Sequence, residues 1–250
     1  MEVLADSLAR ALNAVQIPCV LWGHCLWSAH GVPTTVPSVD LVVPDSRIAG
    51  AREAITTSTN LTQPLVVCPD GAKCPWTNPR RQHPPPAFHL HIRGATREST
   101  AVCFFLQSET LWFLPPFGPG FASPRARPLP RYLALACDRT VLPPFEIGMG
   151  KGVFDSDQTV VLVPRSHILL EALMRIMARD EGKRVGAYAV QHWAYMSLYV
   201  EPNGMLDVDL LPEPLGALHK KCTAGNMSSG AMIVAINRTL GIPVAPSDYR

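Results

Sequence analysis

Hydrophobic positions change their spacing along the chain, and the changes divide it into elements. Apolar residues from Val3 to Val15 recur at helical spacing with polar residues off that face, which predicts an amphipathic helix over residues 2–15. Short apolar runs predict strands, and further helical patterns separate them. In this part of the chain the other predicted helices are 24–30 and 47–56, and the predicted strands are 19–22, 39–43, 88–93, 100–106 and 160–163.

Helical patterns dominate the rest of the chain. The spacing predicts helices over residues 166–180 and 185–200, and a shorter one over 231–240. Early strands and late helices together predict an α/β fold. We expect an α/β lobe with a mixed sheet at 1–164 and a helical lobe at 165–250, within one compact domain.

Composition narrows the class of protein without giving a function. Apolar residues make up 47% and charged residues 17% of the chain, as in a folded globular protein. The 25 prolines predict long ordered loops, above all at 68–87 and 115–130. A net charge of +2 does not give the overall positive field that a general nucleic-acid binder uses.

The sequence also bears on location. Residues 1–6 lack the basic and apolar regions of a secretory signal, and no apolar run reaches the roughly 18–20 residues that a membrane span needs. Seven cysteines, an odd number, suit the reduced thiols of a cytoplasmic protein. We therefore expect a cytoplasmic protein with no membrane partner, and the oligomeric state stays open.

A strand, a glycine turn and an acidic strand follow one another in residues 20–43. The first strand ends at Trp22, Gly23 turns the chain, and Asp40 lies in the second strand, Ser38-Val39-Asp40-Leu41-Val42-Val43. This order resembles the start of the nucleotidyltransferase fold, in which a Gly-Gly or Gly-Ser turn precedes a strand bearing an Asp-x-Asp pair. The resemblance implies that fold, and a transferase acting on a nucleotide or a nucleotide-linked group.

The acids of that pattern have a physical task. Two carboxylates one residue apart on a strand share a face and hold a divalent metal, which clamps the triphosphate beside the glycine turn. Here Ser38 replaces the first acid, and His24 is the second turn residue. The resemblance implies Asp40 as catalytic residue and metal ligand. It also implies substrate binding by Gly23, His24 and Ser38, and Mg²⁺ as a cofactor whose binding Ser38 weakens.

One helix of the second lobe carries a polar stripe. His167, Glu171, Arg175 and Arg179 follow one another at i, i+4 steps, so they share one face. On the functional interpretation the stripe faces a cleft opposite the strand of Asp40. Glu171 or His167 then moves protons, and Arg175 holds a phosphate or a carboxylate of the substrate. On the alternative, the stripe is a solvated face laced with salt bridges.

Two basic spots suit phosphate contacts. Lys151 lies in the segment 148–152, Gly-Met-Gly-Lys-Gly, which either cradles a phosphate of the substrate or forms a turn. It is not a P-loop, because Gly152 stands where Ser or Thr should bind magnesium. Arg80-Arg81, close to Trp76, suits either an RNA backbone contact or a solvated loop.

The first Pro-rich loop contains side chains that zinc prefers. Cys68, Cys74, His83 and His89 have the right chemistry, and a metal staple would suit such a loop. The Cys-x5-Cys spacing is wider than that of most zinc sites. As an alternative, His89 and His91 fit one face of a strand whose apolar residues point inward.

Further segments resemble a group of fungal proteins of similar size. The resemblance includes residues 84–89, 106–112 and 169–175. Some members of the group are arginine-containing cyclodipeptide synthases of secondary metabolism, which join arginine from its tRNA to a second amino acid. Their acidic motif, Asp-Asp-x-x-Glu, does not occur here, and the nearest stretch keeps one acid, Asp45. This resemblance implies an aminoacyl-tRNA partner.

Three hypotheses about function follow. The first is a nucleotidyltransferase-fold transferase with a degenerate metal site. The second is a cyclodipeptide synthase, which needs no metal because the aminoacyl ester is already activated. The third is a catalytically inactive binding module of the same fold, motivated by Ser38 and the missing acids. None of them identifies the substrate.

Overall fold

The computed structural model describes residues 1–68, 74–77, 84–93 and 100–241. It shows an α/β protein built on a seven-stranded mixed sheet. Apart from Pro84, the described residues up to Pro164 form one compact unit, and those from Arg165 on form a second. No helix in the described parts of the chain is long and apolar enough to cross a membrane.

The first unit contains the whole sheet, with strand order β3-β4-β5-β2-β1-β7-β6. Its strands are β1 (Val20–Trp22), β2 (Ser38–Val43), β3 (Leu65–Val67), β4 (Phe88–Ile92), β5 (Ala101–Leu106), β6 (Leu133–Leu135) and β7 (Leu162–Pro164). Its helices are α1 (Glu2–Ala14), α2 (Gly23–Ala29), α3 (Ile48–Thr57) and α4 (Gln107–Thr110), with short 3₁₀ turns at Asp45–Arg47, Pro75–Thr77 and Pro119–Ala122.

Strand β2 lies in the middle of this sheet. All six of its residues are buried, and it runs parallel to β5 from the pair Ser38–Ala101 to the pair Val43–Leu106. On its other side β1 runs antiparallel and pairs Trp22 with Asp40. A nearly continuous apolar run is typical of a strand covered on both faces, which is why this segment occupies the centre.

Helix α1 packs its apolar face inward, as its spacing predicts. Leu4, Leu8 and Leu12 are almost fully buried. The polar side holds the segment before β7, since Asp6 Oδ1 accepts hydrogen bonds from the Thr159 hydroxyl at 2.8 Å and the Val160 N–H at 2.9 Å. This helix is therefore attached to the sheet by both its apolar and its polar face.

The second unit is helical. It consists of α5 (Ser166–Arg179), α6 (Arg184–Tyr195), α7 (Leu215–Thr223) and α8 (Ser229–Leu240), with a π turn at Met196–Val200 and a 3₁₀ turn at Val208–Leu210. Gly186, in the first turn of α6, lies against the residue that follows α5, because a Cβ added there would lie 2.8 Å from the carbonyl carbon of Asp180. Only glycine lets the two backbones approach this closely.

The sequence patterns locate most of these elements, and the differences are local. The helix predicted over 185–200 is α-helical only to Tyr195 and continues as a π turn. The strand predicted over 160–163 forms at Leu162–Pro164. Strands β3 and β6, at three residues each, and the short helix α4 have no predicted counterpart. The α/β class is confirmed.

Candidate functional site

Asp40 and Gly23 lie against each other where β1 passes into α2. Gly23 is the first residue of α2 and has a φ of +60°. A Cβ added there would overlap Asp40 Oδ2 and lie 2.8 Å from Asp40 Cγ. The carboxylate therefore occupies the space that a side chain at residue 23 would need. Glycine is required here for its backbone conformation and for this close approach.

Ser38 shares the face of β2 with Asp40, since residues two apart on a strand point the same way. Ser38 is fully buried and Asp40 is 4% exposed. Ser38 Oγ has no hydrogen-bond partner among the residues that the structure describes. The polar pair of β2 thus consists of one carboxylate and one neutral hydroxyl, both below the surface.

His24 precedes Ser38 and Asp40 in the sequence, and Asp45 follows them. The side chains of His24 and Asp45 each form a hydrogen bond with another segment. His24, half-buried, places Nδ1 3.1 Å from the Thr34 hydroxyl, in the segment that leads from α2 to β2. Asp45 is exposed, and its Oδ1 accepts a hydrogen bond from the Ser108 N–H at 3.1 Å. The side chain of Asp45 is therefore engaged with the start of α4.

The glycine-rich loop packs on the end of α2. Gly150 donates to the Gly31 carbonyl at 2.9 Å, and a Cβ on Gly150 would lie 2.5 Å from the Ser28 carbonyl oxygen. Lys151 donates its N–H to Ser28 Oγ at 3.0 Å, and its ammonium lies 2.8 Å from Asp155 and 3.4 Å from Glu2. The hydrogen bond to Asp155 is the main reason that the pKa of Lys151 is raised. The Lys151 ammonium, which was predicted to bind a phosphate, thus forms ion pairs with the carboxylates of Asp155 and Glu2.

In the second unit, Glu171 and Arg175 form the ion pair that their spacing predicts. The Arg175 Nε and Nη2 atoms lie 2.8 Å and 2.7 Å from Glu171 Oε1. Glu171 is 6% exposed, so this part of the stripe is not a solvated face. Burial raises the pKa of Glu171, and the hydrogen bond and charge of Arg175 only partly oppose it. A raised pKa makes it easier for this carboxylate to take up a proton.

The ends of the same stripe behave differently. His167 is half-buried, and burial lowers its pKa together with the nearby charge of Arg165. Arg179 contacts Asp180, with its Nη2 atom 2.6 Å from the carboxylate. The structure therefore pairs Glu171 with Arg175 and places Arg179 on the acid that follows the helix.

The Cys and His side chains of the first Pro-rich loop converge in the first unit. Cys68, Cys74, His89 and His91 place one ligand atom each within 4.8 Å of all the others. Three of the four predicted zinc ligands are in this group. The fourth, His83, lies outside the described residues, as does Arg80-Arg81.

Sequence reasoning missed His91 as a cluster member and His30 as a buried base. His30 is fully buried at the end of α2, its Nε2 lies 3.1 Å from the Pro164 carbonyl oxygen, and burial lowers its pKa to about 4. The His-x-His spacing of His89 and His91 was the available signal for the cluster. Nothing in the sequence around His30 marks it as buried.

Comparison with protein-family models, with curated proteins and with solved structures gives no match.

Proposed function

We propose that this protein is a nucleotidyltransferase-like transferase that acts on a nucleotide or a nucleotide-linked group, with Asp40 as its working carboxylate. The observation that carries the proposal is the packing of the Asp40 side chain against Gly23. It brings the acid of a central strand to the first turn of the helix that follows β1. A glycine turn beside a carboxylate is the arrangement that a phosphate group and its metal need.

The residues of β2 fit a metal only in part. Mg²⁺ is commonly held by one or two carboxylates together with water and substrate phosphates. Asp40 would supply the single charged ligand and Ser38, whose Oγ has no partner among the described residues, a neutral one. Such a pair would hold the ion weakly unless the substrate also supplied phosphate oxygens. We therefore expect Mg²⁺ and nucleotide to bind together, with the metal neutralising phosphate charge.

Glu171 is our candidate for proton transfer within the second unit, and Arg175 keeps its carboxylate in place. The Arg175 Nε and Nη2 atoms, at 2.8 Å and 2.7 Å from Glu171 Oε1, hold the carboxylate against the guanidinium. We infer that the Glu171 carboxylate can accept a proton, and that Arg175 sets how readily it does so.

Thermal unfolding with ATP or CTP, each with and without Mg²⁺, tests the proposal. We expect a shift of about 5 °C at a ligand concentration of about 100 Kd, and only with Mg²⁺ present. Asp40→Asn should lose the shift, while the matched change at an exposed neighbouring acid, Asp45→Asn, should keep it. An equal shift in Asp40→Asn would contradict the placement of the site.

A second candidate is the aminoacyl-tRNA-dependent cyclodipeptide synthase. The observation in its favour is the neutral Ser38 beside Asp40, because chemistry on an activated ester needs an amine to be oriented and deprotonated but no metal. Mass spectrometry of bacterial cultures expressing the chain should then detect cyclic dipeptides containing arginine. No product from soluble protein, combined with no nucleotide-induced shift, would favour the inactive binding module.

A further inference from the structure

We propose that Cys68, Cys74, His89 and His91 bind one zinc ion, which fastens the β3 edge of the sheet. The proposal is independent of the proposed function, since none of these residues belongs to the Asp40 pair or to α5. The four ligand atoms lie within 4.8 Å of one another, and they comprise two sulfurs and two imidazole nitrogens. This S₂N₂ set is the one that tetrahedral zinc prefers among divalent metals.

The distances within the cluster fit a tetrahedral ion. With Zn–S bonds of about 2.3 Å and Zn–N bonds of about 2.0–2.1 Å, a sulfur and a nitrogen on the same zinc lie about 3.5 Å apart. Cys74 Sγ lies 3.2 Å from His89 Nε2 and 3.4 Å from His91 Nε2. Both histidines thus aim the same ring nitrogen at one sulfur, with their rings nearly perpendicular at 87°.

Strand pairing explains why ligands so far apart in the sequence meet. In the β3–β4 pair Val66 lies opposite His91 and Val67 opposite Leu90, so the next residue, Cys68, comes level with His89. His89 and His91 share a face of β4 because they are two residues apart. The positions of Cys68, His89 and His91 are therefore set by the register of the sheet.

Cys74 is held in place by the turn that follows it. The Cys74 carbonyl accepts hydrogen bonds from the N–H and the hydroxyl of Thr77, both at 3.1 Å. Cys74 is 1% exposed, and His89 and His91 are 8% and 9% exposed. Two imidazoles and a thiol are expensive to bury without strong partners, and a metal ion supplies such partners for all of them at once.

Two other arrangements account for fewer of these side chains. A disulfide would use both cysteines and leave the histidines, and none of the seven cysteines, all among the described residues, forms one. Hydrogen bonds of the Cys74 thiol with His89 and His91 would involve three of the four side chains and would not explain why Cys68 lies beside them. Zinc uses all four and leaves no open position, which is typical of a structural site.

A structural ion has a clear task at this place. Strand β3 has three residues, all half-buried or exposed, and it pairs with β4 alone at the end of the strand order. Short edge strands are held weakly by their hydrogen bonds. An ion bound to Cys68 directly after β3, and to Cys74 beyond it, would fix this edge to the histidines of β4.

Metal analysis of the full chain, purified without a polyhistidine tag, tests the proposal. We expect about one zinc per chain, and a loss of more than about tenfold in Cys74→Ser and His91→Ala. The matched controls are Cys222→Ser, a half-buried cysteine elsewhere, and His83→Ala, the sequence-predicted ligand. Both should keep the zinc. Retention in His91→Ala with loss in His83→Ala would overturn the ligand set.

Cobalt binding to the metal-free wild-type chain does not depend on whether a variant folds. We expect the visible bands of tetrahedral Co²⁺ and a thiolate-to-cobalt charge-transfer band, both reversed by zinc. A chain that takes up no zinc on dialysis, gives no such bands and unfolds at the same temperature with and without a chelator would overturn the proposal. That outcome would favour thiol–imidazole hydrogen bonds instead.

Discussion

Two strands of one sheet each carry a polar pair two residues apart, and the surroundings of the two pairs differ. On β4 the pair is His89 and His91, and two cysteines from other segments complete a set of four ligand atoms. On β2 the pair is Ser38 and Asp40, which meets the bare Cα of Gly23. A pair on a strand is thus only half of a site. What it binds is decided by the groups that other segments bring to it.

The β2 pair depends most strongly on Gly23. We expect Gly23→Ala to lower the free energy of unfolding by about 3–5 kcal/mol, because a Cβ would overlap the Asp40 carboxylate and the φ of +60° disfavours alanine. Denaturant unfolding measures the loss. Gly118→Ala, where nothing lies within 4 Å, should change it little.

Removing the carboxylate separates the two causes. In the double variant Gly23→Ala with Asp40→Ala the overlap with the carboxylate disappears, and only the 3.1 Å approach to the Cβ of residue 40 remains. The loss of stability in the double variant should therefore be smaller than the sum of the two single losses by more than about 1 kcal/mol. Additive losses would mean that backbone strain alone explains the glycine.

Glu171 is a buried carboxylate that forms an ion pair with Arg175, whereas the Asp40 side chain packs against Gly23. Arg175→Ala should cost about 3 kcal/mol, since it leaves Glu171 buried without its ion-pair partner. Chemical denaturation measures this loss of stability, with Glu171→Gln and the double variant Glu171→Gln with Arg175→Ala as references. If the double variant is as unstable as Arg175→Ala, the loss does not come from a stranded charge.

The buried base at the other end of α2 gives a pH test. The pKa of His30 is about 4 in the folded chain against an ordinary 6.5, so the unfolded chain binds more protons between these values. Its contribution to stability is complete above pH 6.5 and decreases by about 3 kcal/mol as the pH falls to 4. Unfolding free energies across this range should fall less steeply in His30→Gln.

Supplying the missing acid would make the β2 pair more like the β4 cluster. Ser38→Asp places a second carboxylate beside Asp40 in a fully buried position, and we expect a loss of about 2 kcal/mol without metal. Mg²⁺ or Mn²⁺ should restore much of it, as a rise in the unfolding temperature that Ser38→Asn does not show. A loss that neither ion reduces would show that β2 cannot take up a metal.

The sequence reveals elements better than it reveals what they bring together. The apolar run of β2 and the helical spacing of α1 and α5 suffice to place those elements, because each buries a long apolar surface. Strand β3 escapes notice since Leu65–Val67 is short and lies at the edge. Gly23 and Asp40 are recognisable in the sequence because a strand, a glycine turn and an acidic strand follow one another there. Their contact depends on the pairing of Trp22 with Asp40, which no local pattern encodes.

The metal cluster shows the same limit. Cys68, Cys74 and His89 are recognisable by residue type, yet the Cys-x5-Cys spacing suggests a poor site. His91 is assigned to the outer face of a strand because alternation is expected to put only one face inside. In the structure β4 lies between β3 and β5, and the histidine face is buried as well. Chain spacing therefore marks only His89 and His91 as a pair, and the strand register that brings Cys68 level with His89 has no signal in the sequence.

Hydrogen–deuterium exchange with and without MgATP tests the central claim, that substrate binds where Asp40 meets Gly23. The account predicts slower exchange in α2, Gly23–Ala29, and in the residues between it and Ser38, with no change at β4. Asp40→Asn should abolish this protection. Protection confined to other parts of the chain, or equal protection in wild type and Asp40→Asn, would contradict the account.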